Sequence, residues 1–304
     1  MLALTLSLCA GCLRVQHGPP AVLPLVHTST DATRWYAVVD SPDLGRRLFF
    51  VDTGYSRTTC DDAFAAELDL KLRGQVPVRG EVGHLSASLA ALPAWRLGEH
   101  TVRGLRCVVR DLHGTSSVRD PLEVDVAGVL GADLLGRFYV VIDPEAATLT
   151  LAAPLKRRLA GHDVVPLRRE LGVGARREVR LQVGDARLWG LLDTGTSRSY
   201  VDGEALRFEV AYTRPGVQVT GSGGTSRRDV PMYVERVRLG DLDIGELQLS
   251  QRDGPGDGLI GLDVLGPLHQ EYDLRHGRAR FTRAGRGSVP SWRQWQYQAG
   301  SSAR

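Results

Sequence analysis

Short apolar runs separated by turn residues cover most of the chain, and this pattern predicts β-strands joined by tight turns. Turn residues divide neighbouring runs at Pro42-Asp43, Gly98-Glu99, Gly184-Asp185 and Gly240-Asp241. Two further strand pairs are predicted, Phe138–Ile142 with Thr148–Ala152 and Gln270–Leu274 with Arg278–Thr282. One short helix is predicted at Asp61–Leu68, where Asp61 or Asp62 can cap the first turn. The chain is therefore expected to be mainly β.

A repeated pair of motifs divides the chain into two similar units. Phe49–Arg57 (FFVDTGYSR) recurs as Gly190–Arg198 (GLLDTGTSR). Downstream, Gly128–Gly136 (GVLGADLLG) recurs as Gly258–Gly266 (GLIGLDVLG). Because both motifs recur in the same order at a similar spacing, the sequence indicates a duplicated unit of about 120 to 130 residues.

Composition narrows the class of protein. The 304 residues are enough for about two domains, and 42% hydrophobic with 24% charged residues is ordinary for a globular core. A net charge of +3 is too small to indicate a nucleic-acid partner. Gly256–Gly261 fits the G-x-G-x-x-G pattern but lacks the βαβ context of a dinucleotide site. With no Walker lysine, H-E-x-x-H or paired C-x-x-C motif, no cofactor and no metal are expected.

Two Asp-Thr-Gly motifs, each after an apolar strand and each followed by a Gly-apolar-apolar-Gly segment, resemble the pepsin and retropepsin superfamily of aspartic proteases. The closest likeness is to bacterial retropepsin-like proteins, here as a duplicated single chain. The resemblance covers about residues 28–284 and implies a two-lobed acid-protease fold, with two homologous β-barrel-like lobes and short helices. It places the catalytic aspartates at Asp52 and Asp193.

The remaining site residues follow from the same resemblance. The supporting residues of the two catalytic loops are these: Thr53, Gly54, Thr194, Gly195 and Thr196. The glycines that pack against those loops correspond to Gly131 and Gly261. Asp133 and Asp263 are instead expected to cap short helices, because each follows Gly-x and precedes an apolar run.

The chemistry of such a site depends on two carboxylates at hydrogen-bond distance. They cannot both ionise, so they share one proton and titrate as a pair. The ionised member takes a proton from a bound water, and the protonated member donates to the scissile carbonyl. The resemblance therefore implies an aspartic endopeptidase that acts on peptide or protein substrates at acidic pH. Two glycine-containing segments, Arg79–His84 and Thr220–Thr225, are candidates for the mobile flap, with ordinary surface loops as the alternative.

The residue after the first Asp-Thr-Gly departs from the family pattern. This position normally holds a small residue, as Thr196 does in the second copy, but the first copy has Tyr55. The phenol can turn outward or contact substrate. It also leaves open a second function, a catalytically weak or inactive protease-fold protein that binds peptides at the cell envelope. A third alternative, in which the lobes pair with those of another molecule, is disfavoured because the duplication lets both aspartates meet within one monomer.

The N-terminus resembles a bacterial lipoprotein signal. The apolar run Leu2–Leu8 is followed by Cys9-Ala10-Gly11-Cys12, so that Cys12 becomes the lipidated residue. The alternatives are an ordinary secretory leader and a buried first strand. The lipoprotein interpretation predicts a protein anchored by lipid to the cell envelope, on its periplasmic or extracellular face. In that oxidising compartment Cys60 and Cys107 are expected to pair, with two buried free thiols as the alternative.

These interpretations give five segments. Residues 1–27 are the leader and tether, 28–155 the first lobe, 156–163 a linker, 164–284 the second lobe, and 285–304 a tail that either docks on the body or stays loose.

Overall fold

The computed structural model describes residues 12–28, 31–79, 84–112, 126–170, 175–202, 212–213, 217–220, 226–252, 258–285 and 289–301. The strands up to the middle of the chain are β1 (Arg14–Gln16), β2 (Ala21–Thr28), β3 (Asp31–Ser41), β4 (Gly45–Val51), β5 (Thr59–Asp61), β6 (Leu72–Arg79), β7 (His84–Ala91), β8 (Trp95–Leu97), β9 (His100–Arg103), β10 (Arg106–Arg110), β11 (Val126–Leu130), β12 (Tyr139–Asp143) and β13 (Thr148–Ala152). The later strands are β14 (Val164–Arg169), β15 (Arg177–Val183), β16 (Ala186–Leu192), β17 (Tyr200–Asp202), β18 (Tyr212–Thr213), β19 (Val217–Thr220), β20 (Ser226–Leu239), β21 (Leu242–Arg252), β22 (Gly258–Ile260), β23 (Leu268–Asp273) and β24 (Arg278–Arg283). The helices are α1 (Asp62–Glu67), α2 (Ala132–Leu135), α3 (Leu262–Leu265) and α4 (Trp292–Ser301). The mainly β prediction is confirmed.

The local predictions hold where turn chemistry is strong. Each of the four predicted turns joins two antiparallel strands, and glycines 98, 184 and 240 have positive φ values of 58° to 60°. Helix α1 begins after Asp61, whose side chain accepts a hydrogen bond from the Ala63 N–H. The predicted cap is therefore confirmed as Asp61.

The two lobes have the same strand pairing around their Asp-Thr-Gly motifs. In the first lobe β3 pairs antiparallel with β4, β4 parallel with β11, β11 antiparallel with β5, and β5 parallel with β10. In the second lobe β15, β16, β22, β17 and β21 repeat this sequence of pairings. Each aspartate consequently follows a central strand that is hydrogen-bonded on both sides.

A six-stranded antiparallel sheet joins the lobes, in the order β2, β13, β12, β23, β24, β14. The strands β12 and β23 meet at its centre, where Val140 pairs with Tyr272. The two outer strands then enter the lobes, because β2 also pairs with β3 and β14 also pairs with β15. The sheet therefore has the internal symmetry of the sequence repeat.

The prediction that residues 13–27 form a tether is wrong for residues 14–16 and 21–27, which lie in strands. Strand β1 pairs with β9, and β2 forms one edge of the sheet between the lobes. Leu23, Leu25 and Val26 are buried there, so these apolar side chains stabilise the fold instead of spanning solvent. The first structural repeat thus begins near Ala21, as the second begins near Val164. The 156–163 linker and the other segment boundaries remain predictions.

The C-terminal tail docks on the first lobe. The His27 N–H donates to the Pro290 carbonyl at 2.9 Å, and Trp295 of α4 packs against an apolar cluster that includes Val26. Among the described residues, none of the helices has the length and apolar character needed to cross a bilayer.

Candidate active site

The two catalytic-loop aspartates occupy equivalent positions at the ends of central strands. The Asp52 N–H donates to the Leu130 carbonyl at 3.2 Å, and the Asp193 N–H donates to the Ile260 carbonyl at 3.0 Å. Each bond joins the start of a catalytic loop to the end of the parallel neighbouring strand, β11 in the first lobe and β22 in the second. The Asp-Thr-Gly backbone therefore leaves the sheet in the same direction in both lobes.

The two threonines lock the loops to each other across the lobe boundary. The Thr53 N–H donates to Thr194 Oγ1, and the Thr194 N–H donates to Thr53 Oγ1, both at 3.1 Å. Each hydroxyl in turn donates to a carbonyl of the opposite strand, Thr53 to Leu192 at 2.9 Å and Thr194 to Val51 at 2.8 Å. This buried set of four hydrogen bonds fixes the relative position of the two loops, because every donor and acceptor has a partner.

The threonine bonds bring the carboxyl groups of Asp52 and Asp193 together. Burial raises the pKa of Asp52 and a hydrogen bond with the Asp193 side chain lowers it, and such a bond requires a proton between the two carboxyl groups. Each carboxylate lies against the glycine of the opposite loop, and a Cβ on Gly54 or Gly195 would overlap it. Glycine is therefore required at both positions for a close approach rather than for an unusual φ.

Burial governs the titration of this pair. Asp52 is 9% exposed, and desolvation raises its pKa to about 6. Hydrogen bonds from the N–H groups of Gly54 and Tyr55 to Asp52 Oδ1, at 2.9 and 2.8 Å, oppose that rise. One shared proton is consequently retained into the weakly acidic range.

Gly131 and Gly261 lie directly behind the loops. A Cβ on Gly131 would overlap the backbone of Arg57 and Thr58, and one on Gly261 would lie 2.9 Å from the Arg198 carbonyl. These glycines let strands β11 and β22 pass close to the loop backbone.

The cap roles predicted for Asp133 and Asp263 are wrong. The N-cap residues of α2 and α3 are glycines without a side-chain bond. Asp133 Oδ1 instead accepts from the N–H and hydroxyl of Thr58 at 2.7 and 2.8 Å, and Asp263 accepts from the same groups of Ser199 at 2.8 and 2.6 Å. Both carboxylates therefore brace the catalytic loops from behind, and burial raises the pKa of each.

Tyr55 does not turn outward into solvent. It packs against two apolar clusters, one that includes Val129 and one that includes Val78, and its hydroxyl accepts from Arg110 Nη1 at 3.3 Å. Thr196, its counterpart, donates to the Arg198 carbonyl at 3.4 Å rather than to the Asp193 carboxylate. The bulky residue is thus accommodated by the first lobe, and both Tyr55 and Thr196 contribute backbone groups to their loops.

Arg176 is a site residue that the sequence did not reveal. It precedes β15 and donates from Nη1 to the Gly54 carbonyl at 3.2 Å, while its Nε pairs with Glu170 at 2.5 Å. In a chain rich in arginine, no spacing or motif distinguishes this residue from the others. The contact depends on how the second lobe meets the first.

The remaining predicted residues lie apart from the carboxylates or beyond the described chain. Cys60 and Cys107 form a disulfide with a Cα–Cα distance of 5.7 Å, and Cys12 is free and exposed. Most of both flap candidates, residues 80–83 and 221–225, falls outside the described residues, as does the apolar leader.

One acidic cluster could in principle attract a cation. Carboxylate oxygens of Asp61, Asp62 and Asp111 lie within 4.8 Å of one another. The two oxygens of Asp61 already accept from the N–H groups of Ala63 and Leu112, both at 3.0 Å. Backbone capping therefore accounts for the buried member of this cluster.

Comparison with known proteins agrees with this geometry. A family model described as aspartyl protease matches residues 43–134. No curated protein matches the chain in sequence. Among solved structures, the aspartic proteinase from Irpex lacteus superposes with a TM-score of 0.53 at 15% identity, covering 88% of this chain and 98% of that one. Residues 43–134 therefore resemble aspartyl proteases in sequence, and most of the chain has the predicted two-lobed acid-protease fold.

Proposed function

We propose that this chain is an aspartic endopeptidase that hydrolyses peptide bonds with a water activated between Asp52 and Asp193. The observation that carries the proposal is the position of each carboxyl group against the glycine of the opposite loop, which brings one aspartate from each lobe together. The cross-bonded threonines hold the pair in place before substrate arrives. Preorganisation of this kind favours catalysis because the polar groups need not rearrange during the reaction.

The two carboxyl groups divide the proton transfers between them. The ionised member accepts a proton from the attacking water, and the protonated member donates to the carbonyl oxygen of the scissile peptide. The resulting tetrahedral diol collapses when a proton reaches the leaving amine. No covalent bond to the enzyme is formed, and the pair returns to its monoprotonated state after one turnover.

The site carries this chemistry only while one proton is shared. Because burial raises the pKa of Asp52 to about 6, we expect cleavage in acid and its loss toward neutral pH. The alternative of an inactive peptide-binding protein arose from Tyr55, and the packing of its ring within the first lobe argues against that alternative.

Three variants test the proposal on a denatured protein mixture between pH 3 and pH 7. Asp52→Asn and Asp193→Asn should each lower kcat/KM by roughly a thousandfold, and the double variant should lose little more, because the pair acts as a unit. Asp185→Asn is the matched control, since Asp185 is exposed in the β15–β16 turn and should leave cleavage unchanged. Cleavage that persists in Asp52→Asn, or that ignores a statine-type inhibitor, would contradict the proposal.

We further propose that the protein is anchored to the cell envelope by lipid on Cys12. Strand β1 begins only two residues later, so such an anchor would hold the body directly at the membrane. Arg14 pairs in register with Arg103, and both are exposed. Like charges at opposed positions repel each other, and anionic headgroups would relieve that repulsion.

The anchor is tested by cell fractionation. Cys12→Ser should move the protein from the membrane fraction to the soluble fraction while its unfolding curve stays the same, because the exposed thiol makes no contact that the fold needs. A native protein that is recovered in the soluble fraction without detergent would contradict the anchor and leave the protease proposal untouched.

A further inference from the structure

Arg176 reaches from the second lobe into the catalytic loop of the first. Its Nη1 donates to the Gly54 carbonyl at 3.2 Å, two residues after Asp52. Its Nε pairs with Glu170, and the Glu170 N–H donates to the Arg176 carbonyl at 3.3 Å. The side chain is only 19% exposed, so the guanidinium is held between these partners rather than free in solvent.

The accepting carbonyl belongs to the peptide unit that also binds Asp52. In the planar peptide between Gly54 and Tyr55, the carbonyl and the N–H point in opposite directions. Arg176 binds the carbonyl, and the N–H donates to Asp52 Oδ1 at 2.8 Å. A charged donor on the carbonyl polarises the peptide and strengthens the hydrogen bond that its N–H makes. A single peptide therefore connects the guanidinium of one lobe to the carboxylate of the other.

We propose that Arg176 is a positioning residue for catalysis, which fixes the Gly54–Tyr55 peptide and thereby the carboxylate of Asp52 from the opposite lobe. The inference rests on the proposed protease function and adds to it a residue outside both catalytic motifs. Since Arg176 belongs to the second lobe, the carboxylate of the first lobe is correctly held only when the lobes are docked.

The charge of Arg176 gives this role a distinct signature. Its electrostatic attraction lowers the pKa of Asp52, against the larger effect of burial. Within the described part of the chain, the other charged or titratable groups that interact with this carboxylate or with Arg176 are Asp193, Tyr55 and Glu170, and Arg110 contacts the Tyr55 hydroxyl. Because Glu170 offsets part of the positive charge, we expect a moderate net effect.

The test compares Arg176→Met, Arg176→Lys and the control Arg180→Met. Arg180 lies on β15, the strand that follows Arg176, but it is exposed and stacks on Trp189 at 5.2 Å, so its removal changes the net charge equally without touching the loop. Arg176→Met should lower kcat about tenfold and move both limbs of the pH profile upward by roughly 0.5 to 1 pH unit. Arg176→Lys should restore the profile because the charge is kept, and Arg180→Met should match the unmodified protein.

A second readout does not depend on cleavage. Carbon-13 NMR titration of the aspartate carboxyl groups should show the same upward shift for the Asp52–Asp193 pair in Arg176→Met. If the unmodified protein cleaves nothing, the proposed function fails while this titration still tests Arg176. A carboxyl titration that is unchanged in folded Arg176→Met, or unchanged in Arg176→Gln should the methionine variant not fold, would overturn the inference.

Discussion

The strands behind the two catalytic loops make matching hydrogen bonds in both lobes, but the side chains that fill the core behind them differ. In the first lobe the Val108 N–H donates to the Thr58 carbonyl at 3.0 Å, and in the second the Ser250 N–H donates to the Ser199 carbonyl at 3.1 Å. When these two bonds are aligned, the register of β5 with β10 matches the register of β17 with β21. The strand pairs behind the two loops are thus equivalent position by position.

The same registers show which core residues differ between the two lobes. Cys60 corresponds to Val201 and Cys107 to Leu249, and all four side chains are fully buried. A disulfide in one lobe is therefore replaced by an aliphatic pair in the other. A core position requires only that its volume be filled by apolar atoms, whereas a loop that aims a carboxylate requires each hydrogen bond. The duplication has accordingly kept the polar scaffold and varied the packing.

The largest effect is expected from removing the cross-link. Cys60→Ala with Cys107→Ala should lower the free energy of unfolding by about 4 kcal/mol, because the disulfide closes a loop with a sequence separation of 47 residues. Urea unfolding with and without reductant measures this loss. The matched change in the second lobe is a disulfide introduced by Val201→Cys with Leu249→Cys. Two titratable thiols in that variant under oxidising conditions would show that the lobes are less alike than their registers indicate.

The next effect comes from the residue that most distinguishes the two loops. Tyr55→Thr makes the first loop identical to the second at this position, but it removes a ring that packs against two apolar clusters. We expect a loss of about 3 kcal/mol in unfolding free energy and no gain in activity. Tyr55→Phe keeps the ring and loses the hydroxyl that contacts Arg110, so it should cost about 1 kcal/mol. Higher kcat in Tyr55→Thr would show that the phenol hinders the site.

An effect of similar size should depend on pH. The folded pKa of Asp52 is raised to about 6 from an ordinary 3.8, so the folded state binds the proton more tightly than the unfolded state. The stability that this adds is fully present below about pH 3.8 and is lost as the pH rises through 6. Asp52→Asn should therefore match the unmodified protein at pH 3.5 and exceed its unfolding free energy by about 3 kcal/mol at pH 7.5. Equal stability at both pH values would mean that Asp52 is not held protonated.

The smallest effect tests the braces behind the loops. Thr58→Val and Ser199→Ala each remove a hydroxyl that bonds the buried carboxylate of Asp133 or Asp263. Each should lower the unfolding free energy by about 1 kcal/mol, and by similar amounts if the scaffolds are equivalent. Thermal unfolding of both variants measures these losses of stability. Unequal losses would show that the hydrogen bonds behind the two loops are not equivalent.

Local sequence signals predicted many of the elements. The turns at Pro42-Asp43 and Gly184-Asp185, helix α1 and the two closing strand pairs all occur where turn residues, a cap or apolar alternation indicate them. The prediction of a tether was wrong for a physical reason. Residues 13–27 contain prolines and two histidines that suggest an exposed segment, but the apolar side chains of β2 complete the edge of a sheet whose other strands lie over 100 residues away.

The repeat by itself determined that Asp52 and Asp193 are equivalent, because two copies of one motif in one order require two similar strand–loop–strand units. Only the tertiary structure decided the roles of Asp133, Asp263, Tyr55 and Arg176. Asp133 braces Thr58 rather than capping α2, and Arg176 reaches Gly54 over a separation of 122 residues. A side chain's partner depends on which strands pair and how the lobes dock. Those contacts are long-range, and local periodicity carries no information about them.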